Sequence, residues 1–183
     1  MKKQENIVAY VLRLSLTLLV IAGVVAAALA GVNAVTAPII EKLTWEKTQA
    51  AIEAVLPGGG ESVAFTDDTG IVQAVYQGES GYAVQVAPGG FDGEIVMMVG
   101  VSNEGEVLGI SVISQTETAG LGAVCAAKNS AGEAFRGQFV GASGTLAVTK
   151  DGGTIDAITS ATITSRAVTA GVNAALACVE NMG

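Results

Sequence analysis

The sequence predicts an α+β domain, with an antiparallel sheet and flanking helices, anchored by one N-terminal transmembrane helix. Three observations support this prediction. Residues 14–40 contain no Asp, Glu, Lys or Arg. Short β-like runs separated by glycine-bearing turns follow in the middle of the chain. A helical segment closes the sequence, and this order of elements is typical of an antiparallel sheet covered by helices.

The uncharged run at residues 14–40 predicts the transmembrane helix. A bilayer's hydrocarbon is crossed by roughly 20 helical residues, so the run is long enough. Four charged side chains precede it, three basic and one acidic: Lys2, Lys3, Arg13 and Glu5. Because basic flanks stay on the cytoplasmic side, we expect a cytoplasmic N-terminus and an extracytoplasmic chain from Glu41 onward.

A cleaved signal peptide is the competing interpretation of the apolar run. Ala28-Leu29-Ala30 before Gly31 resembles a cleavage site. The run continues well past that site, which favours an uncleaved anchor in the cell membrane. The sequence therefore predicts four segments: a cytoplasmic N-terminus at 1–13, the transmembrane helix at 14–40, a juxtamembrane helix and linker at 41–60, and an extracytoplasmic domain at 61–183.

Charge and composition exclude several functions. The 183 residues carry a net charge of −8, and the part from Glu41 onward has 16 acidic against 6 basic side chains. This acidity argues against binding to nucleic acid or to an anionic membrane surface. The chain has no histidine, which excludes histidine-dependent triads and most zinc sites. Cys125 and Cys178 are compatible with one disulfide or with two buried thiols.

The first half of the outer domain predicts one helix and a run of strands. Thr44–Leu56 has helical character, with Thr44 as its cap and Pro57-Gly58-Gly59-Gly60 at its end. Four β-like runs follow: Ile71–Gln77, Gly81–Ala87, Glu94–Val101 and Val107–Gln115. Asn103-Glu104-Gly105 predicts a hairpin turn between the last two, and residues 88–93 predict a tight loop.

The second half predicts shorter elements and a closing helix. Residues 116–122 form a polar, glycine-bearing junction before a weak helical stretch at Ala123–Ser130. Thr145–Thr149 and Ile155–Ile158 are candidate strands. The last helix is expected from Arg166 to Glu180, with Thr164 or Ser165 as its cap.

The segment directly before that helix, Asp156–Ser165, holds five hydroxyl side chains in ten residues. A hydroxyl-rich segment that leads into a helix N-terminus can bind a phosphate, because free N–H groups and the helix dipole favour negative charge. The residue types alone favour the alternative, which is a strand, a turn and a capped helix that bind no ligand.

The same segment also resembles a known motif. Asp156-Ala157-Ile158-Thr159-Ser160-Ala161-Thr162 resembles the flavinylation motif of membrane-anchored FMN-binding domains. Three other stretches agree with that family in the same order: Gly89–Ile95, Val96–Gly100 and Glu117–Gly122. The resemblance extends from about Leu43 to the end. Within the family, the short chain is most similar to the G subunits of Rnf complexes, which are ion-translocating ferredoxin:NAD⁺ oxidoreductases. The C subunits of sodium-translocating NADH:quinone oxidoreductases are the sister group.

The resemblance implies FMN bound to the Thr162 hydroxyl through a phosphoester, which a separate flavin transferase makes. Asp156 would help the transferase recognise the segment. Ser160 and the amides around Thr162 to Ser165 would bind the phosphate, and Ala161 would also belong to the cofactor site. Thr118, Gly120 and Leu121 would lie along the flavin ring, with Glu117 beside them. Three positions depart from the family pattern: Ala119 replaces a common proline, Gln115 stands near a common histidine, and Ser160 replaces a frequent glycine.

These implications predict a redox relay and not a complete enzyme. No segment resembles a nicotinamide or ferredoxin site, so electrons would enter and leave through neighbouring subunits of the complex. The absence of a histidine base argues against self-flavinylation. Two alternatives remain at this point. The same flavin domain could serve the quinone-reducing complex or a dedicated extracellular reductase, or the chain could be a membrane-anchored assembly module without a redox cofactor.

Overall fold

The structure is a computed structural model that describes residues 2–182, and it has two compact units, one ending at Trp45 and one beginning at Glu46. Its regular elements are α1 (Lys2–Val55), β1 (Glu61–Val63), β2 (Val72–Gln77), β3 (Gly81–Val86), β4 (Val96–Ser102), β5 (Val107–Ser114), α2 (Ser130–Gly137) and α3 (Thr162–Glu180). Two 3₁₀ turns, Gly122–Ala126 and Thr149–Asp151, complete the set.

The five strands form one antiparallel sheet in chain order, β1-β2-β3-β4-β5. This arrangement confirms the predicted α+β class. The predicted hairpin is also present, since Val101 pairs with Val107 across a turn in which Gly105 has a φ of 81°. Strand β1 was not predicted from the sequence, because it has only three residues and none of them is buried.

Helix α3 covers one face of the sheet. Its buried side chains join those of β2, β3 and β4 in the main core, together with Phe135 and Phe139 from α2 and the turn after it. The helix comes close to the sheet at Gly171, where an added Cβ would lie 2.9 Å from Cγ of Pro88 and would also collide with Met97. The helix is therefore fixed against both β4 and the loop that follows β3.

The last turns of α1 cover the opposite face of the sheet. Ile52, Val55 and Leu56 are buried there against Ala83 and Met98. The close approach again requires a glycine: a Cβ on Gly100 of β4 would lie 2.5 Å from the carbonyl oxygen of Val55. Residues 46–55 thus belong to the same compact unit as the sheet.

Helix α1 is continuous from Lys2 to Val55, with Pro38 inside it. The prediction of a separate helix capped by Thr44 is therefore wrong. Thr44 was interpreted as an N-cap, but it lies within a run of mostly good helix formers, so the helix continues through it. The stretch Ile7–Val55 contains a window of mean hydropathy 2.4, so α1 is long and apolar enough to cross a membrane.

Two predicted strands are not formed. Val148 and Ile155 make only a single parallel bridge, and residues 149–151 form a 3₁₀ turn in place of the predicted strand end. Glycines at 152 and 153 reverse the chain before a ladder can begin, and Gly152 has a φ of 86°. The weak helical stretch at Ala123–Ser130 becomes a 3₁₀ turn followed by α2, whose N-cap is Asn129.

Candidate functional site

A cavity of about 320 Å³ lies where α3 begins, next to the junction after β5. Six of the eight residues implied by the family resemblance line it: Glu117, Thr118, Leu121, Ser160, Ala161 and Thr162. Phe91, Gly122, Ile163 and Thr164 complete the lining and were not among those eight residues. Gly120 and Asp156 are outside it. A second cavity of about 440 Å³, near Asn103 and Asn173, contains none of the predicted site residues.

Helix α3 begins at Thr162, four residues earlier than the sequence predicted. The predicted caps, Thr164 and Ser165, therefore lie inside the first turn and are buried. The Ser165 hydroxyl accepts from the amide of Ile158 at 2.9 Å and donates to the carbonyl of Ala161 at 2.9 Å. Ala161 is the N-cap residue and offers no side-chain cap. The first amides of α3 consequently have neither an intrahelical acceptor nor a cap.

The Thr162 hydroxyl lies on the cavity wall at this open helix end. It accepts a hydrogen bond from the ammonium of Lys150, with 3.0 Å between Nζ and Oγ1. Lys150 is exposed and lies in the second 3₁₀ turn. No sequence pattern indicates this contact, since the two residues are 12 positions apart and belong to different elements. The structure thus brings a hydroxyl, a positive charge and free amides together.

An ion pair holds the turn that contains Lys150 against α3. Arg166 donates to the two carboxylate oxygens of Asp151 from Nε and Nη2, both at 2.6 Å. These hydrogen bonds lower the pKa of Asp151 and raise that of Arg166. Because Arg166 is one helical turn after Thr162, the pair fixes Lys150 close to the start of the helix.

Ser160 has a backbone φ of 61°, the left-handed region that L-residues rarely adopt. It is the only non-glycine residue with a positive φ in the described part of the chain. A glycine would adopt this conformation at lower cost, because it has no Cβ. The left-handed residue turns the chain between Thr159 and Ala161, so that Thr162 can begin the helix directly.

Glu117 is a buried carboxylate that connects three parts of the site. One oxygen accepts from the amides of Phe91 at 2.8 Å and Asp92 at 3.0 Å. The other accepts from the Thr164 hydroxyl in a short hydrogen bond. Burial raises the pKa of Glu117, but these hydrogen bonds outweigh burial and hold the pKa below its ordinary value. A Cβ at Gly122 would collide with this carboxylate, which explains the glycine there.

The rim of the cavity is apolar and open to solvent. Phe91, Leu121 and Ile163 are 67%, 40% and 51% exposed. Exposed large apolar side chains around a cavity are typical of a ligand or partner site. A planar aromatic ligand can pack against such side chains, while its charged end reaches the helix start. The lining residues therefore fit a flavin ring with a phosphate group.

Asp156 lies at the surface just outside the cavity, with its backbone fixed by Gln138. The Gln138 side chain accepts from the amide of Asp156 at 2.7 Å and donates to its carbonyl at 3.2 Å. The carboxylate of Asp156 is exposed. A fixed backbone with an exposed side chain suits recognition by another protein better than contact with a ligand in the cavity.

The two cysteines are free thiols and both are buried. Burial, with a smaller contribution from Glu117, raises the pKa of the Cys125 thiol to about 11. Burial likewise raises the pKa of Cys178. Of the two alternatives left open by the sequence, the structure has the buried thiols. A protonated thiol is a poor nucleophile, so neither cysteine is a candidate for attaching a cofactor.

Known proteins that are similar to this chain include FMN-binding domains. Residues 90–177 match the FMN-binding domain family. The G subunit of the Na⁺-translocating ferredoxin:NAD⁺ oxidoreductase complex of Acetobacterium woodii is 36% identical, over 94% of this chain and 93% of its own length. This chain belongs to the G-subunit family. The G subunit of an ion-translocating oxidoreductase complex from Methanosarcina acetivorans is 32% identical over 87% of the chain and 89% of its length.

Membership of the G-subunit family confirms the resemblance that the sequence motifs indicated. A third member, from the proton-translocating ferredoxin:NAD⁺ oxidoreductase complex of Clostridium ljungdahlii, is 41% identical over 52% of this chain and 51% of its own. All residues that line the 320 Å³ cavity fall inside the matched range 90–177. The cavity therefore lies within the part of the chain that matches the FMN-binding family.

Proposed function

We propose that this chain is the flavin-carrying electron-transfer subunit of a membrane-bound, ion-translocating ferredoxin:NAD⁺ oxidoreductase complex, with FMN joined covalently to Thr162. The observation that supports attachment most directly is the position of the Thr162 hydroxyl. It lies on the cavity wall, at the uncapped start of α3 and 3.0 Å from the Lys150 ammonium. An esterified phosphate at this atom would meet free amides and a positive charge.

The chain's own residues would divide the binding of FMN between them. The first turn of α3 would hold the phosphate, and the rim formed by Phe91, Leu121 and Ile163 would pack against the ring. Glu117 would act indirectly, because its carboxylate connects the Phe91 loop to Thr164 and so keeps the two sides of the cavity together. When bound, FMN accepts and donates electrons one or two at a time.

Attachment through the phosphate leaves the flavin ring chemically unchanged. Covalent bonding therefore serves retention of the cofactor, while hydrogen bonds and burial at the ring set its potential. Retention suits a domain whose cavity is shallow and exposed at its rim. The subunit would pass electrons between neighbouring subunits, since a bound flavin open to solvent on one side can approach a partner cofactor.

The apolar helix α1 supports a membrane location for this subunit. Basic residues before the uncharged run favour a cytoplasmic N-terminus, which would bring the flavin domain to the extracytoplasmic side. A flavin transferase would then act on the exposed segment around Asp156 and Thr162 on that side. The full-length relatives are named as G subunits, which favours the ferredoxin:NAD⁺ complex over its quinone-reducing sister.

Intact-mass spectrometry of the denatured full chain tests the attachment. We expect the chain made in cells that contain the transferase to gain the mass of one FMN less one water. Thr162→Ala should abolish this gain, because it removes the acceptor oxygen, whereas Thr162→Ser should retain it in part. Thr154→Ala is the matched control: it removes an exposed hydroxyl just outside the Asp156–Thr162 motif and should leave the gain unchanged.

The opposite results would favour the assembly-module hypothesis. A wild-type chain without added mass, in cells where a known flavinylated protein is modified, would contradict covalent attachment. Normal electron transfer by the complex that contains Thr162→Ala would contradict the relay role, since no flavin would then be held at this site.

A further inference from the structure

We propose that Lys150 is a positioning residue for flavin attachment: its ammonium orients the Thr162 hydroxyl before transfer and pairs with the phosphate diester afterwards. The inference rests on the proposed function, because it assigns a role within the same reaction. It concerns a residue outside the Asp156–Thr162 motif, in a separate turn of the chain. The inference is based on the geometry and the charges around Oγ1 of Thr162.

The residues before and after Lys150 are both hydrogen-bonded to the chain near the start of α3. Lys150 follows Thr149, whose amide donates to the carbonyl of Ile155 at 2.8 Å. It precedes Asp151, which is joined to Arg166 of α3 by two hydrogen bonds of 2.6 Å. The residues on either side of Lys150 are therefore tied to the chain around the helix start. This arrangement limits where the Lys150 side chain can start from, and its Nζ lies 3.0 Å from Oγ1 of Thr162.

The charge of Lys150 is available to a phosphate. Lys150 lies close enough to Asp151 to help lower the pKa of that carboxyl, but both carboxylate oxygens of Asp151 accept hydrogen bonds from Arg166. The hydrogen bond of the Lys150 ammonium goes to the neutral Thr162 hydroxyl. The part of the chain from Glu41 onward has 16 acidic and 6 basic side chains, so its overall field repels an anion. A phosphate diester keeps one negative charge. The nearby ammonium and the free first-turn amides of α3 would offset that repulsion locally.

The reaction balances without any change in the protonation of Lys150. The Thr162 Oγ1–phosphorus bond forms, and the bond from phosphorus to the bridging oxygen of a flavin pyrophosphate donor breaks. The departing phosphate takes the electron pair, and the hydroxyl proton passes to a base of the transferase. Because the ammonium donates to a lone pair of Oγ1, it holds the oxygen in place while the hydroxyl proton stays free to leave. It also stabilises negative charge that develops at the phosphoryl oxygens.

The experiment follows flavinylation of the purified, flavin-free full chain in detergent, with the transferase and flavin adenine dinucleotide as the donor. Intact mass against time gives kcat and KM for the acceptor chain. We expect Lys150→Gln to lower kcat by about tenfold or more with KM unchanged, as for loss of a charged donor at a reacting centre. Lys150→Arg should restore most of the rate, because it keeps the charge. Lys128→Gln, which removes an exposed charge elsewhere in the domain, is the matched control and should behave as wild type.

A second measurement tests the role after transfer. The phosphorus NMR resonance of the attached diester should shift in Lys150→Gln and stay unchanged in Lys128→Gln. An unchanged kcat in Lys150→Gln, an effect on KM alone, or an unmoved resonance would overturn the inference. Failure of the proposed function looks different: the wild-type chain itself would gain no FMN at Thr162. Circular dichroism melting of each variant shows whether a lost rate reflects a lost fold.

Discussion

At the scale of single residues, the site depends on a few side chains whose neighbours the sequence does not reveal. Thr162, the proposed acceptor, was indicated by a motif, but its hydrogen-bond partner Lys150 was not, because a contact between separate turns has no local pattern. Glu117 was predicted beside the flavin ring. The structure gives its carboxylate a supporting role, since its oxygens are used by the amides of Phe91 and Asp92 and by Thr164.

Ser160 gives a prediction about stability. Its φ of 61° costs a residue with a Cβ about 1–2 kcal/mol compared with the usual regions. Ser160→Gly should therefore raise the free energy of unfolding, by about 1 kcal/mol once the greater chain entropy of glycine in the unfolded state is subtracted. Ser160→Val should lower it, since β-branched residues tolerate this region least. Urea unfolding followed by circular dichroism measures both changes, and a destabilised Ser160→Gly would contradict the assignment of strain.

Glu117 gives a prediction about pH. Its pKa is held below the ordinary 4.5, so its contribution to stability is complete above that pH and is lost as the pH falls through the lowered value. Glu117→Gln should lower the free energy of unfolding at pH 7 by about 1.5–3 kcal/mol, as expected for a charge-assisted hydrogen bond. It should also flatten the decline of stability below pH 4.5.

Glu79→Gln is the control for that pH dependence, because Glu79 is exposed. Urea midpoints measured from pH 7 down to pH 3 should be nearly the same for wild type and Glu79→Gln. If Glu117→Gln shows the same acid slope as wild type, then Glu117 does not contribute to the pH dependence in the way that its hydrogen bonds indicate.

At the scale of elements, the sheet and its helices were largely predictable, whereas their ends were not. The four longer strands followed from alternation and turn residues, and each lies within two residues of its predicted bounds. The start of α3 was four residues off, because Thr164 and Ser165 look like caps in sequence but bond to Glu117 and to the backbone around Ile158. The correct start makes Thr162, the proposed acceptor, the first helical residue.

The packing of α1 on the sheet gives a prediction with a matched control. Gly100 and Gly109 are paired on neighbouring strands. A Cβ at Gly100 would lie 2.5 Å from the carbonyl oxygen of Val55, while one at Gly109 would have its nearest neighbour at 3.9 Å. Gly100→Ala should lower the free energy of unfolding by about 1–3 kcal/mol through overpacking. Gly109→Ala should be neutral or slightly stabilising.

Thermal melting of both glycine variants by circular dichroism makes the comparison. Equal melting temperatures for Gly100→Ala and Gly109→Ala would show that the end of α1 does not press against β4 as closely as described.

At the scale of the whole molecule, composition predicted a membrane helix and an acidic outer domain, and a short motif predicted the flavin. The sequence did not predict that α1 is one continuous helix up to Val55, so that its last residues belong to the compact unit that begins at Glu46. The apolar part of α1 can be recognised in the sequence from its hydropathy. The end of α1 packs on the sheet, and those contacts are visible only in the structure. The same holds for the site. Its motif is a short continuous segment and can be recognised in the sequence, whereas the contacts made by Lys150, Gln138 and Phe91 come from distant parts of the chain.

The central claim is that one oxygen atom, Oγ1 of Thr162, holds the flavin. Trypsin cuts after Lys150 and Arg166 and so releases residues 151–166, a peptide that contains Thr162 together with five other hydroxyl side chains: Thr154, Thr159, Ser160, Thr164 and Ser165. Fragmentation of this peptide by mass spectrometry locates any attached FMN. We predict FMN on Thr162 alone. An unmodified peptide, or FMN on any of its other hydroxyls, would contradict the claim.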